Sequence, residues 1–278
     1  MGANAPARAA LRLAAGYFVV SVAWILFSDE LARRLAFGND EVERSLQSTK
    51  GLGFVTLTAI GLFVIARRYL LRIQDSTDRL RSAYDETLAG WASALDIRDR
   101  STAQHTERVT TRTVALAQRF GFEGRRLEDV RRGATLHDIG KMGVPDDVLG
   151  KKGPLTDEEW VLMRRHPELA VQMLQGIDYL RDALAIPRCH HEKWDGTGYP
   201  AGLVREQIPL EARLFAVVDV YDAITSVRPY RNPMPPEEAR ATIEAGSGTH
   251  FDPAVVDAFL QLVDEEAARA GRGPATPQ

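Results

Sequence analysis

The chain has 278 residues, with 35 Lys plus Arg against 38 Asp plus Glu, a formal net charge of −3, and 45% hydrophobic and 26% charged residues. This is ordinary globular usage, which excludes a disordered tail protein, a collagen-like chain and a basic nucleic-acid binder. A single cysteine, Cys189, excludes a disulfide framework and any Cys-rich zinc module.

A mean hydropathy of −0.22 averages over two unlike regions. Sixteen residues without a charge separate Arg12 from Asp29, and sixteen more separate Lys50 from Arg67. At the helical rise each run covers roughly 24 Å, a little short of a ~30 Å hydrocarbon core. Arg12 and Arg67 stand at the ends, where long basic side chains snorkel to the headgroups and extend the span, and Tyr17 and Trp24 suit interfacial positions. Both runs are apolar on every face rather than along one stripe, which argues against two helices of a soluble core. The first run leads straight into Asp29-Glu30 with no small-residue cleavage site, which argues against a signal peptide. The expectation is a transmembrane hairpin over residues 1–70, with spans at about 11–28 and 51–70 joined by residues 29–50. Arg8, Arg12, Arg67, Arg68 and Arg72 lie on one side against Arg33, Arg34, Arg44 and Lys50 on the other, a slight bias toward cytoplasmic termini.

Beyond the second span Ile73, Leu80, Tyr84, Leu88, Trp91 and Leu95 recur at helical spacing, so residues 71–90 are expected as a linking helix. That stripe suits either a seam between two copies or packing on the following domain. From Trp91 onward helices alternate with Gly- and Pro-marked turns. Thr156-Asp-Glu-Glu159 fits a capping box, and the helix it opens is expected to carry Trp160, Met163 and His166. Asp252-Pro253 reads as an N-cap followed by proline at the first helical position. Leu214–Ile224 is apolar except for Asp219 and Asp222. No alternating pattern runs long enough for a sheet, so the fold class is all-α, with a catalytic domain over 91–265 and a disordered tail over 266–278.

All six histidines lie between positions 105 and 250. His137-Asp138 is a His–carboxylate pair, His190-His191 is a second adjacent pair, and Asp219 interrupts an apolar helix. Imidazoles and carboxylates without thiolates are the ligand set of divalent metals with open, octahedral-type sites. A buried acid such as Asp219 is costly unless paired or bound to a metal. His105 and His166, taken singly, read equally well as hydrogen-bonded structural residues.

His137-Asp138-Ile139-Gly140-Lys141, followed by His190-His191-Glu192-Lys193-Trp194-Asp195-Gly196-Thr197-Gly198-Tyr199-Pro200, resembles the HD-GYP domain, a branch of the HD superfamily of metal-dependent phosphohydrolases. The resemblance covers roughly residues 88–262 and includes Asp99, Thr102, His105-Thr106-Glu107-Arg108-Val109, His166-Pro167, Asp219-Val220-Tyr221-Asp222-Ala223, Arg228-Pro229-Tyr230-Arg231 and Phe251-Asp252-Pro253. It implies an all-helical HD-type domain that binds two divalent metals, Fe or Mn, and hydrolyses cyclic di-GMP to linear pGpG or GMP. By position, His105, His137, Asp138 and Asp219 would hold one metal, and His166, His190 and His191 the second, with Asp138 bridging. Relatives with a third metal carry a glutamate four residues before the first histidine; Ser101 stands there, so a dinuclear site is expected. Lys141 would act beside Asp138 as a catalytic positive charge, and Asp222, Arg228 and Arg231 would bind substrate. The loop of Gly198, Tyr199 and Pro200 would line the site or meet GGDEF-type partners. His250 fits no ligand role, and Cys189 is expected as a small buried residue.

The hairpin in turn resembles the membrane anchors of bacterial signalling proteins, which implies a multi-pass protein of the bacterial inner membrane with its catalytic domain in the cytoplasm. Two other readings stand beside the phosphodiesterase. One is a sensor or scaffold that binds cyclic di-GMP or a partner without turnover, and the other is a hydrolase of a different cyclic dinucleotide or of a nucleotide. Loss of ligands would favour the sensor, and every expected dinuclear ligand is present.

Overall fold

The two charge-free runs lie in the two longest helices of a computed structural model that describes residues 5–99, 104–226 and 232–271. Helix α1 (Ala5–Leu35) and helix α2 (Asp40–Asp99) have 31 and 60 residues. The connection expected over 29–50 shrinks to residues 36–39. Asn39 is the reason. Its Oδ1 accepts from the N–H groups of Glu41 at 3.0 Å and Val42 at 3.2 Å, and Asp40, Glu41 and Glu43 favour the positive end of the helix dipole. Asp29 and Lys50, the charges that bound the two runs, form an ion pair. Tyr17 and Trp24 stack on Phe54 at 6.5 and 5.9 Å. Most other apolar side chains of the pair point outward, as Phe18 and Phe27 do at 68% and 72% exposure. Both helices are long and apolar enough to cross a membrane.

The chain divides into two units, residues 1–80 and 81–278, and α2 runs without a break through the division. The expected linking helix is therefore the middle of a longer one.

The second unit is built from helices alone among the described residues: α3 (His105–Arg119), α4 (Gly124–Thr135), α5 (Asp146–Leu149), α6 (Asp157–Met163), α7 (His166–Leu174), α8 (Ala185–Cys189), α9 (Leu210–Thr225), α10 (Pro236–Ala245) and α11 (Pro253–Gly271), with short 3-10 turns between some of them. Helix α9 is central, and its Leu214, Phe215, Val217 and Val218 are fully buried among Val109, Leu116, Ile243 and Phe259. A second cluster joins Leu88 of α2 to Leu136, Ile139, Ala170 and Leu174.

Two expectations need correction. The helix opened by Thr156 stops at Met163, and His166 begins a new one. Pro167 has no N–H to give to Met163, and the His166 Nδ1 takes that carbonyl instead at 2.8 Å. The capping box itself is formed, with the Glu159 N–H on Thr156 Oγ1 at 3.3 Å and the Thr156 N–H on Glu159 Oε2 at 2.7 Å. The tail expected from residue 266 is helical to Gly271, because Glu265 and Glu266 pair with Arg119 and Arg112 at 2.7 and 3.2 Å. Asp252 caps α11 as expected, its Oδ1 accepting the Ala254 N–H at 2.9 Å.

Candidate metal centre

Helix ends deliver most of the polar groups to one place. His105 opens α3, His137-Asp138 follows α4, His166 opens α7, and His190-His191 follows α8; only Asp219 comes from mid-helix, on α9. Gly140 allows this convergence. A Cβ there would meet the His166 carbonyl oxygen, and would lie 2.6 Å from the Ala170 nitrogen, so only glycine lets the turn after Asp138 lie on the first turn of α7.

The seven residues expected as ligands fall into two groups, Asp138 with His166, His190 and His191, and His105 with His137 and Asp219. Within each group all the ligand atoms lie within 4.8 Å of one another. The groups adjoin through His137 Nε2 and Asp138 Oδ2, 3.1 Å apart. Backbone carbonyls set the ring orientations. The Nδ1 of His137 faces the Ala134 oxygen at 2.9 Å, that of His166 faces Met163, and that of His190 faces Ile186 and Pro187, both at 3.1 Å. A carbonyl only accepts, so each Nδ1 carries a proton, and wherever the ring is neutral its lone pair is left on Nε2.

The Nε2 atoms of His166 and His190 then face each other at 3.2 Å. Two lone pairs in that position repel, and a cation between them removes the repulsion. Burial holds His166 at about 4, and it holds His191 far below the usual imidazole range, so both rings are neutral near pH 7. The donor set of imidazole and carboxylate fits a hard or borderline divalent ion. Cys189 stands beside the ligands, but burial lifts its thiol to about 11 and keeps it protonated.

Lys141 Nζ lies 2.8 Å from Asp138 Oδ2 and 2.8 Å from Asp99 Oδ2. Burial alone would raise Asp138, but Lys141 and His137 outweigh it and hold the carboxylate well below its usual range. Arg98 fixes the segment beyond, donating to the carbonyls of Lys141 at 3.0 Å and Val144 at 2.8 Å.

Asp222, expected on the substrate, is placed elsewhere. It is 1% exposed. Its Oδ2 accepts from His105 Nδ1 at 2.7 Å and its Oδ1 from Arg108 Nε at 2.7 Å, with Arg108 Nη2 and Ser226 Oγ completing the set at 2.8 and 3.2 Å. Arg108 and His105 outweigh burial and keep Asp222 ionised far below the carboxylate range. It stands behind His105 and turns the His105 Nε2 toward Asp219, 3.4 Å away.

The Gly198-Tyr199-Pro200 loop reaches the same centre. Tyr199 stacks on His191 with centroids 4.7 Å apart and planes at 26°. Gly198 has no room for a side chain, since a Cβ would meet the Lys193 nitrogen and lie 2.5 Å from Glu192 Cα. Glu192 is 2% exposed and accepts the N–H groups of Ala201 at 2.7 Å and Leu203 at 3.0 Å, which pins the far end of the loop. Sequence reasoning gave no role to Glu192 or Arg108. The signal for Arg108 is its i,i+3 spacing from His105 on one helix; an acid next to two ligands reads as easily as a third ligand. Ser101, Thr102, Arg228 and Arg231 lie outside the described residues. His250 stacks on Phe251 at 4.2 Å and belongs to neither group.

Residues 92–255 match the HD domain family. The chain is 36% identical over 248 residues to a cyclic di-GMP phosphodiesterase of Vibrio cholerae serotype O1, covering 84% of this chain and 49% of that protein. It is also 36% identical over 188 residues to a 3'3'-cGAMP-specific phosphodiesterase of the same organism, covering 67% of this chain and 36% of that one. A solved cyclic GMP-AMP specific phosphodiesterase of V. cholerae superposes with a TM-score of 0.52 at 20% identity, over 68% of this chain and 51% of that one, a likeness of fold. The chain spans about half the length or less of the curated relatives it matches.

Proposed function

Since the chain belongs to the HD domain family, we propose that it is a membrane-anchored cyclic di-GMP phosphodiesterase that hydrolyses its substrate to linear pGpG or GMP. The observation that carries this reading is the meeting of seven ligand side chains with two imidazole lone pairs opposed at 3.2 Å. His105, His137 and Asp219 would hold one divalent ion, His166, His190 and His191 the other, with Asp138 between them; Fe or Mn suits this donor set. Bound divalent ions supply a hydroxide nucleophile at neutral pH and withdraw charge from a phosphodiester as it is attacked.

The chain's own residues prepare that chemistry. Lys141 keeps Asp138 ionised and adds a positive charge beside the scissile phosphate. Asp222 and Arg108 hold His105 in one tautomer. Tyr199 closes one side of His191 against water, and Glu192 holds the loop that carries Tyr199. A dinuclear site agrees with Ser101 in place of a further ligand.

The exposed apolar faces of α1 and the first half of α2 support a multi-pass anchor in the bacterial inner membrane, and the arginine bias supports a cytoplasmic catalytic unit. Ile73 and Leu80 remain exposed on α2 and suit a second copy, whereas Leu88 and Leu95 of the same stripe are buried in the chain's own second unit. The glycine-rich part of the loop, with Thr197 exposed, is the surface offered to GGDEF-type partners.

The test is the full chain in detergent, supplied with Mn or Fe under anaerobic conditions, with cyclic di-GMP and 3'3'-cGAMP followed separately by chromatography. Turnover of cyclic di-GMP is expected. Binding without turnover would make the chain a sensor, and a preference for the mixed dinucleotide would reassign the substrate, since a relative of each kind is 36% identical.

A further inference from the structure

A cyclic dinucleotide carries two phosphates, and only one of them is attacked at a time. The other brings a full negative charge beside a centre already rich in carboxylates. Three cations around the ligands are taken: Lys141 by Asp138 and Asp99, Arg108 by Asp222, and Arg98 by Asp146. Arg164 is different. It closes α6, its backbone N–H bonding the Trp160 carbonyl at 2.9 Å, and its side chain is exposed. Its guanidinium carbon lies 5.5 Å from the centroid of Tyr199 and 5.7 Å from that of Trp160, and no carboxylate among the described residues pairs with it. Tyr199 in turn stacks on His191. Arg164 thus stands one ring beyond a metal-ligating histidine, on the same side as the loop.

We propose that Arg164 binds the phosphate of the cyclic dinucleotide that is not being cleaved. The assignment rests on the functional reading above. A guanidinium held over aromatic rings with no carboxylate partner has N–H groups to spare, and its planar fork matches two phosphate oxygens at once. Two rings also fix the long side chain before substrate arrives, which lowers the ordering cost of the contact. Sequence alone hides the residue, because an arginine two positions before His166 reads as an ordinary charge on a helix end.

The competing role is a bracket, with Arg164 serving only to press Tyr199 onto His191. Substrate size separates the two. The full chain loaded with Mn is assayed on cyclic di-GMP and on bis(p-nitrophenyl) phosphate, a diester with a single phosphate. Arg164→Ala is expected to raise KM for cyclic di-GMP roughly tenfold or more, the loss of a charge-assisted pair. It should leave kcat, metal content and turnover of the single-phosphate diester within about twofold. Arg164→Lys, which keeps the charge but not the fork, should recover part of the loss. An unchanged KM for cyclic di-GMP overturns the assignment. So does an equal fall in kcat on both substrates, which is the mark of a bracket acting through Tyr199 and His191. A wild-type chain that cleaves the small diester and no cyclic dinucleotide overturns the functional reading instead, and that result appears before any variant is compared.

Discussion

His166 is a neutral ring whose Nε2 faces that of His190, whereas His105 lies between two carboxylates. Burial would lower it, but hydrogen bonds donated to Asp219 and Asp222 outweigh that and lift it to about 9. The two ligand groups should therefore load metal differently. His105 carries a proton near pH 7 in the metal-free chain and must release it to ligate; His166, held at about 4, and His191, held lower, have none to release. Affinity of the His105 group should rise with pH up to about 9, whereas His166 and His191 add no pH dependence to the other group between pH 6 and 8. Metal titrations at those two pH values, read by calorimetry in two buffers of different ionisation heat, check this; equal proton release by both groups would refute it. His137→Ala and Asp138→Ala each remove a group at the junction and should abolish turnover. Asp222→Ala tests the placement of that acid. With its carboxylate behind His105, loss of it should weaken metal binding by roughly 10- to 100-fold. A raised KM at unchanged metal content would instead restore Asp222 to the substrate.

Gly140 acts at the scale of elements, because it sets the distance between the turn after Asp138 and helix α7. Gly140→Ala places a methyl against the backbone of His166 and Ala170, neither of which can swing aside. The expected cost is about 2 kcal/mol or more of stability, together with reduced metal content, read by denaturant melts and metal analysis of the same sample. An alanine variant as stable as wild type would show that α7 can shift without loss. Several elements were legible because their signals are local. The Thr156 capping box and the Asp252-Pro253 start each depend on residues three or fewer apart, and both form. The two candidate ligand groups were legible through their motif and by residue type. What escaped depends on partners distant in sequence. Asp222 looks like a substrate group until Arg108, 114 positions away, is seen to hold it, and Glu192 looks like a ligand until the Ala201 and Leu203 amides are seen to bind it. The break before His166 was written in Pro167 but was masked by apolar spacing that continued across it.

At the scale of the whole molecule, two regions with opposite solvent preferences share one helix. The first 80 residues leave Phe18, Phe27, Leu62 and Phe63 more than half exposed, an apolar surface that a monomer in water rarely carries. Burying one such side chain in hydrocarbon contributes about 1.5–3 kcal/mol, and the two helices present many of them. The ion pair of Asp29 and Lys50 lies where the two runs meet their connection, so those two charges stand paired at that edge of the apolar length. The chain should therefore pellet with membranes, resist an alkaline carbonate wash and be released by detergent. Residues 81–278, which hold both candidate ligand groups, should remain in the supernatant and bind metal. A reporter fused after Gln278 reads orientation. With Arg67, Arg68 and Arg72 just beyond the second run, activity of a cytoplasmic reporter is expected and that of an exported one is not. A full chain extracted by carbonate would mean that the hairpin packs on protein instead of lipid, and the exposed phenylalanines would then mark a partner's footprint.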